Sequence, residues 1–285
     1  MRFKVFCLLG DILLGQNLFS KGLQVSLLFL HRKIKPHQHS LVQERLDHSN
    51  IVNQGDGELN SQDYFLRVVS NAKQSWKVLR HPETLLQSLN IENKIQWEQL
   101  LSSNQPQIFW GVHMGPFEWL HQILSTTPSQ RTIHLITLES PISLISKLRN
   151  ASSSKIKIWR HTDLGQATRK ALRHGDIIAI LLDQGPQEMS SKSTIFNHQW
   201  NLFIHQLPRW KSMGFELVYF NISRSKGISS NLNKYILTHS LMDLNQKETS
   251  IESQAKVIAK AELEIENSIQ NSPIDFIWHY PWHLL

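Results

Sequence analysis

A histidine and a glutamate five residues apart, His113 and Glu118 in the run Gly111-Val-His-Met-Gly-Pro-Phe-Glu-Trp119, carry the clearest chemical potential in this chain. Neutral imidazole is a competent general base near neutral pH, its unperturbed pKa being about 6.5. A carboxylate hydrogen-bonded to the other ring nitrogen fixes the tautomer and stabilises the imidazolium that forms. No G-x-S-x-G run occurs, and the single cysteine, Cys7, lies in an apolar N-terminal stretch. A base and a carboxylate without a protein nucleophile imply activation of a substrate's own hydroxyl, which can attack an acyl carbonyl directly. The same neighbourhood allows a metal-dependent hydrolase: Glu118 and His121 share a helical face, and with His113 they are three ligands of the kind zinc accepts. No H-E-x-x-H run or cysteine pair accompanies them.

The pair needs a bend to meet. On one continuous helix, residues five apart diverge by about 140°. Gly115 and Pro116 lie between them; glycine accepts backbone angles that other residues avoid, and proline favours the start of a helix. The pattern therefore predicts a strand over Gln107–Val112, a tight turn carrying His113, and a helix opening at Pro116, with Glu118 in its first turn leaning back toward the imidazole. The backbone N–H groups of that helix start are candidate oxyanion donors.

The remaining pattern predicts an α/β fold with an open, largely parallel sheet flanked by helices. Strands are expected at Ile108–Val112, Thr132–Leu138, Ile177–Leu182, Glu216–Ile222 and Tyr235–Leu241, the last an antiparallel edge. Helices are expected at Tyr64–Leu79, Pro82–Leu89, Ile95–Leu101, Pro116–Leu124, Ile142–Asn150, Leu164–His174 (ended by Gly175), Phe203–Met213 despite Pro208, and Ile251–Gln270. The polar run Asn50–Ser61 divides an N-terminal helical segment, 1–50, from a main domain, 51–285. Ligands of such sheets bind outside the carboxyl ends of the strands, where His113, Glu139, Asp183 with Gln184, and Ser223 with Arg224 fall. Phe117, Trp119, Trp159 and Trp278 are candidate walls of an apolar groove.

At His113-Met-Gly-Pro-Phe-Glu118 the chain resembles the lipid A biosynthesis (late) acyltransferases of the wider lysophospholipid/glycerolipid acyltransferase superfamily. The block Leu172-Arg-His-Gly-Asp-Ile-Ile-Ala-Ile-Leu-Leu-Asp-Gln-Gly185 is similar to that family's apolar strand with Asp-Gln, and Ser272-Pro-Ile-Asp-Phe-Ile-Trp278 to its Pro-x-x-Tyr-x-Trp segment. The resemblance spans roughly residues 60–285. It implies a glycerolipid acyltransferase-like fold. It also implies that His113 takes the proton of an acceptor hydroxyl with Glu118 in support, and that Arg149 contacts a phosphate or the oxyanion. Asp183, Gln184, Arg224, Phe117 and Trp119 become candidate substrate contacts. The implied reaction moves a fatty acyl group from an acyl-carrier protein or coenzyme A thioester to a lipid or glycolipid hydroxyl, of the lipid A precursor type, without metal or redox cofactor. It places the protein at the cytoplasmic face of the inner membrane. Two blocks depart from the family: Trp278-His-Tyr-Pro-Trp-His283 stands where a His-Arg-Arg-Phe-like run is usual, and Leu138-Glu-Ser-Pro-Ile142 where Arg-Pro is common. The altered C-terminus keeps open a non-catalytic lipid-binding relative.

Composition is consistent with this. A formal charge of +7 over 285 residues favours anionic partners: lipid headgroups, an acidic carrier protein, coenzyme A or nucleic acid. No nucleic-acid motif is present, so nucleic acid is not expected as a partner. One cysteine excludes an internal disulfide framework. The apolar stretch Val5–Leu30 is interrupted by Asp11, Gln16, Asn17 and Lys21. That is poor for a spanning helix and lacks a small-residue cleavage site. It suits an amphipathic helix in the membrane interface, followed by the basic His31-Arg-Lys-Ile-Lys35, or an ordinary core helix.

Overall fold

The computed structural model describes residues 36–48, 60–126, 130–137, 154–183, 191–196, 198–225, 235–242 and 250–276. Expectations at the N-terminal stretch, the 142–150 helix and the 50–59 loop lie outside them. So do Glu139, Arg149, Gln184 and Trp278.

Helix α1 (Pro36–His48) precedes the long α2 (Ser61–Arg80), whose start is capped by Asn60 accepting from the amides of Gln62 and Asp63. A 3-10 turn at Pro82–Thr84, the short α3 (Leu85–Ser88), β1 (Leu89–Ile91) and α4 (Lys94–Ser102) follow. Then come β2 (Gln107–Gly111), α5 (Trp119–Ser125), β3 (Ile133–Thr137), β4 (Ile156–Arg160), α6 (Leu164–His174) and β5 (Ile177–Leu181). The last third holds β6 (Ser191–Ile195), β7 (His198–Leu202), α7 (Gln206–Ser212), β8 (Glu216–Arg224), β9 (Tyr235–Leu241) and α8 (Ile251–Asn271).

Seven strands form one mixed sheet in the order β1-β9-β8-β2-β5-β3-β4, and β6 with β7 forms a separate hairpin. Only the β8–β9 pairing in the large sheet is antiparallel. The chain is thus α/β with a mostly parallel sheet, as the alternating pattern predicts. The central strands show why it must be covered on both sides. Ile108 and Trp110 of β2, Ile178 and Ile180 of β5, and Leu217 and Tyr219 of β8 face one apolar cluster. The intervening Phe109, Ala179, Val218 and Phe220 face the other. This period of two buries both faces. Helices α1, α6, α7 and α8 feed the first cluster, with Val42 and Leu46 of α1 inside it; α4 and α5 feed the second.

Several expectations change. β9 is antiparallel but not the edge, because β1 pairs outside it, Leu89 against Tyr235. Leu89 therefore leaves the predicted helix, which shrinks to a 3-10 turn and a single α turn. β4, not read as a strand from sequence, is the opposite edge, with Lys157 exposed in the manner that protects sheet edges. Pro208 does not break its helix: α7 starts at Gln206, so the proline sits in the first turn, where its missing N–H has no intrahelical acceptor. The hairpin β6–β7 was not read at all. It docks on α8 through carboxylates, Glu262 accepting from the Thr194 amide (2.9 Å) and Glu266 from the Phe196 amide (2.7 Å).

Candidate functional site

Strands β2 and β5 are parallel neighbours in the register Gly111↔Leu181, locked further by Leu182 N–H donating to Gly111 O. Two residues beyond that pair on each strand stand His113 and Asp183, so the register itself brings them side by side. The contact is double. The His113 backbone N–H donates to Asp183 Oδ2 at 2.7 Å, and the ring Nδ1 meets Oδ1 at 2.7 Å. A carboxylate can only accept from Nδ1, which makes it the N–H nitrogen; in the neutral ring the lone pair then sits on Nε2. The Asp183 side chain has no exposed surface and the His113 side chain is 11% exposed, so the imidazole is the member of the pair that solvent reaches.

The turn after His113 is held as tightly. Gly115 has φ +53°, a left-handed conformation, and a Cβ there would lie 2.0 Å from Ile222 O of β8. Its N–H donates to Asp275 O at 2.9 Å, and Met114 bridges Phe276 in antiparallel fashion. The C-terminal segment therefore buttresses the turn from below. Helix α5 opens at Trp119, not at Pro116, because Pro116 O and Phe117 O take the amides of Trp119 and Leu120 in tight i to i+3 bonds (2.9 and 3.1 Å). Those two amides are thereby unavailable as oxyanion donors. The Phe117 N–H precedes them in the turn.

Glu118 sits at the N-cap of α5, its carboxylate 4.0 Å from His121 Nδ1. The carboxylate that fixes the His113 tautomer is Asp183, where the sequence pointed to Glu118. Phe117 lays its ring edge-on to His113, centroids 4.4 Å apart, and is, among the described residues, the aromatic wall of the expected groove found at the imidazole. Trp119 does not line it. Its side chain is fully buried, Nε1 donates to Gln74 O at 3.2 Å, and its ring packs on Tyr235 at 5.0 Å. Trp159 is occupied on β4, donating from Nε1 to His134 Nδ1 at 2.9 Å beneath the Lys170 ammonium. Arg224 is the last residue of β8, its amide donating to Asp275 Oδ2 at 3.0 Å.

Two further features bear on what the site can hold. Among the described residues no group of three or more His, Cys, Asp or Glu side chains is arranged to hold a metal ion. A cavity of about 680 Å³, lined in part by Leu85, Trp97, Leu101, Ile123, Arg131 and Asp176, opens at the amino ends of the strands, the opposite end of the sheet from His113.

The chain matches no family model and no curated protein.

Proposed function

We propose that this protein is an O-acyltransferase acting at a membrane surface. It would move a fatty acyl group from an acyl-carrier protein or coenzyme A thioester to a hydroxyl of a lipid or glycolipid, of the lipid A precursor type. The observation that carries the proposal is the partly exposed imidazole of His113 at the carboxyl-end rim of a mostly parallel sheet, its Nδ1 hydrogen-bonded to the buried Asp183. The motif resemblance supports the choice of acyl transfer.

In this reading the acceptor hydroxyl gives its proton to Nε2 as its oxygen attacks the thioester carbonyl. The tetrahedral oxyanion collapses, the carbon–sulfur bond breaks, and the imidazolium returns the proton to the departing thiolate. Asp183 supports the positive ring. The Phe117 N–H of the turn is the proposed backbone donor to the oxyanion, with Arg149 as a further candidate. Glu118 acts at the head of α5, holding the turn through His121. Gln184, next after Asp183, is a proposed substrate contact, and no metal or redox cofactor enters the scheme.

The direct experiment follows release of free thiol from an acyl-coenzyme A and acyl-carrier protein in the presence of a lipid acceptor extract, for wild type and His113→Ala. Turnover that vanishes in a variant with an unchanged circular dichroism spectrum supports the reading, and turnover that survives rejects it. Localisation at the cytoplasmic face of the inner membrane belongs to the same proposal. Among the described residues no helix is long and apolar enough to cross a membrane.

A further inference from the structure

The β4–α6 flank of the sheet concentrates positive charge. From 155 to 176 stand Lys155, Lys157, Arg160, Arg169, Lys170 and Arg173 against the carboxylates Asp163 and Asp176, a net of +4 within the chain's +7. Asp176 is buried and turned inward, accepting from the Thr132 amide at 2.9 Å and meeting His134 Nε2 at 3.1 Å. Asp163 is left as the outward carboxylate of this segment.

Helix and strand geometry gather these charges on one surface. Leu164, Ala167, Thr168 and Ala171 of α6 turn inward, so Arg169, Lys170 and Arg173 share the opposite face. On the edge strand β4 the pleat sends Ile156 to the second apolar cluster and Trp159 to the first, the side that α6 covers. Lys157, two residues before Trp159, points the same way. Lys170 joins the two elements, its ammonium 5.0 Å from the centroid of the Trp159 ring. Burial is the main force depressing the His134 imidazole, and the Lys157 and Lys170 charges push it further down against Asp176, so both cations reach the same ring. Lys157, Arg160, Arg169 and Arg173 are exposed, and among the described residues no carboxylate pairs with them.

We propose that the outer face of α6, with the adjoining edge of β4, is an electrostatic docking surface for an anionic phospholipid bilayer. Four or more Lys and Arg on an amphipathic helix are the pattern that an anionic leaflet attracts. A protein partner would need an apolar centre, because specific protein interfaces are built around large side chains seated in fitted pockets. On this flank the exposed large apolar side chain is Leu172, 37% exposed, and the others, Leu66, Ile95, Ile251 and Leu263, lie on α2, α4 and α8. The flank also borders the rim of His113. β4 ends at Arg160 on the carboxyl side, in the strand order β2-β5-β3-β4. At about 4.8 Å between neighbouring strands, Arg160 stands roughly 14 Å along the rim from His113. A headgroup layer on this flank would therefore adjoin the place where an amphiphilic acceptor enters. The surface is separate from the N-terminal stretch Val5–Leu30. Choosing a bilayer as its occupant rests on the acyltransferase reading; the charge on the flank does not.

The test is cosedimentation of the full-length protein with phosphatidylcholine vesicles made with and without phosphatidylglycerol. Wild type and His113→Ala should both bind the anionic vesicles. A folded triple variant, Lys157→Gln with Arg169→Gln and Arg173→Gln, should bind them about a hundredfold more weakly, about fivefold per charge removed. A control triple variant, Lys94→Gln with Lys192→Gln and Lys256→Gln, removes the same charge from exposed positions on other elements. It should stay within about threefold of wild type, because charges more than a Debye length from the bilayer are screened. Equal weakening in both triple variants would show that net charge drives binding, and it overturns the proposal. So does a flank variant that binds like wild type. Wild type that ignores anionic vesicles also overturns it, including the case in which an acidic acyl-carrier protein binds through the same three residues. Vesicle binding kept by His113→Ala while thiol release is lost separates this surface from the proposed chemistry.

Discussion

Asp183 is tied to His113 by two hydrogen bonds of 2.7 Å, one to the ring and one to the backbone. Its replacement therefore separates two effects. Asp183→Asn can still accept from the His113 amide through Oδ1, but its NH2 group cannot accept the Nδ1–H, so the tautomer with a basic Nε2 is lost. The expected result is a kcat lower by about 10²–10⁴ with KM changed little. Asp183→Ala would in addition strand the buried His113 amide and lower stability by about 1–3 kcal/mol. Stopped-assay kinetics and urea unfolding on both variants check this. A kcat for Asp183→Asn within a factor of three of wild type would remove Asp183 from the proposed mechanism. Glu118→Gln gives the comparison: its effect should be smaller than that of Asp183→Asn, because Glu118 reaches His121 and not the His113 Nδ1. At this scale the sequence was half legible. His113 stood out by its motif and Asp183 by following an apolar run, yet a separation of 70 residues hid their contact.

At the scale of elements, the bend between β2 and α5 depends on one glycine. Gly115→Ala places a Cβ against Ile222 O in a left-handed backbone. The conformational penalty of about 1–2 kcal/mol and an overpacking term of about 1–3 kcal/mol predict a loss of about 2–5 kcal/mol, read from the urea midpoint. A variant as stable as wild type would show that the turn can shift, and with it His113. The other end of the sheet has its own clamp in Arg131. Its guanidinium donates to Gly175 O (2.6 Å), Ser103 O (2.8 Å), Gln105 O (2.6 Å) and Gln107 Oε1 (2.8 Å), binding together the starts of β2, β3 and β5. Burial lowers its pKa to about 10, so it stays charged at neutral pH. Arg131→Ala should cost about 2–4 kcal/mol by leaving these acceptors unpaired, without changing the KM of the proposed acyl transfer, since the clamp is at the far end of the strands. Periodicity revealed the long apolar strands and the amphipathic α6. It did not reveal the three-residue β1 or the basic β4, because such short or polar strands are defined by the neighbour they pair with.

At the scale of the whole molecule, three half-buried or buried histidines among the described residues make folding sensitive to acid. Burial depresses the imidazoles of His134, His205 and His239 below their usual value. For His134 this holds although Asp176, at 3.1 Å, favours the charged ring, and Trp159 donates to its Nδ1, which a proton would displace. The unfolded chain binds these protons more readily, so their contribution is fully present above the unfolded value of about 6.5 and is lost as pH falls through the lower folded values. Urea midpoints should decline between pH 7.5 and 5, and His134→Gln should flatten part of that slope; a midpoint rising over this range would contradict the assignment. The excess of positive charge, +7, makes a further prediction for the proposed membrane-surface role. Cosedimentation should favour anionic over zwitterionic vesicles and weaken between about 0.1 and 0.5 M salt as screening shortens. Equal binding to both kinds of vesicle would count against it. Taken alone, the sequence determined the class of sheet, because an apolar run that alternates with amphipathic helices can be buried in few ways, and it marked His113 as a candidate base at a strand end. Only the tertiary structure decided which carboxylate His113 meets. That contact follows from the β2–β5 register, and the turn after His113 rests on Asp275 and Phe276, long-range pairings that no local spacing encodes.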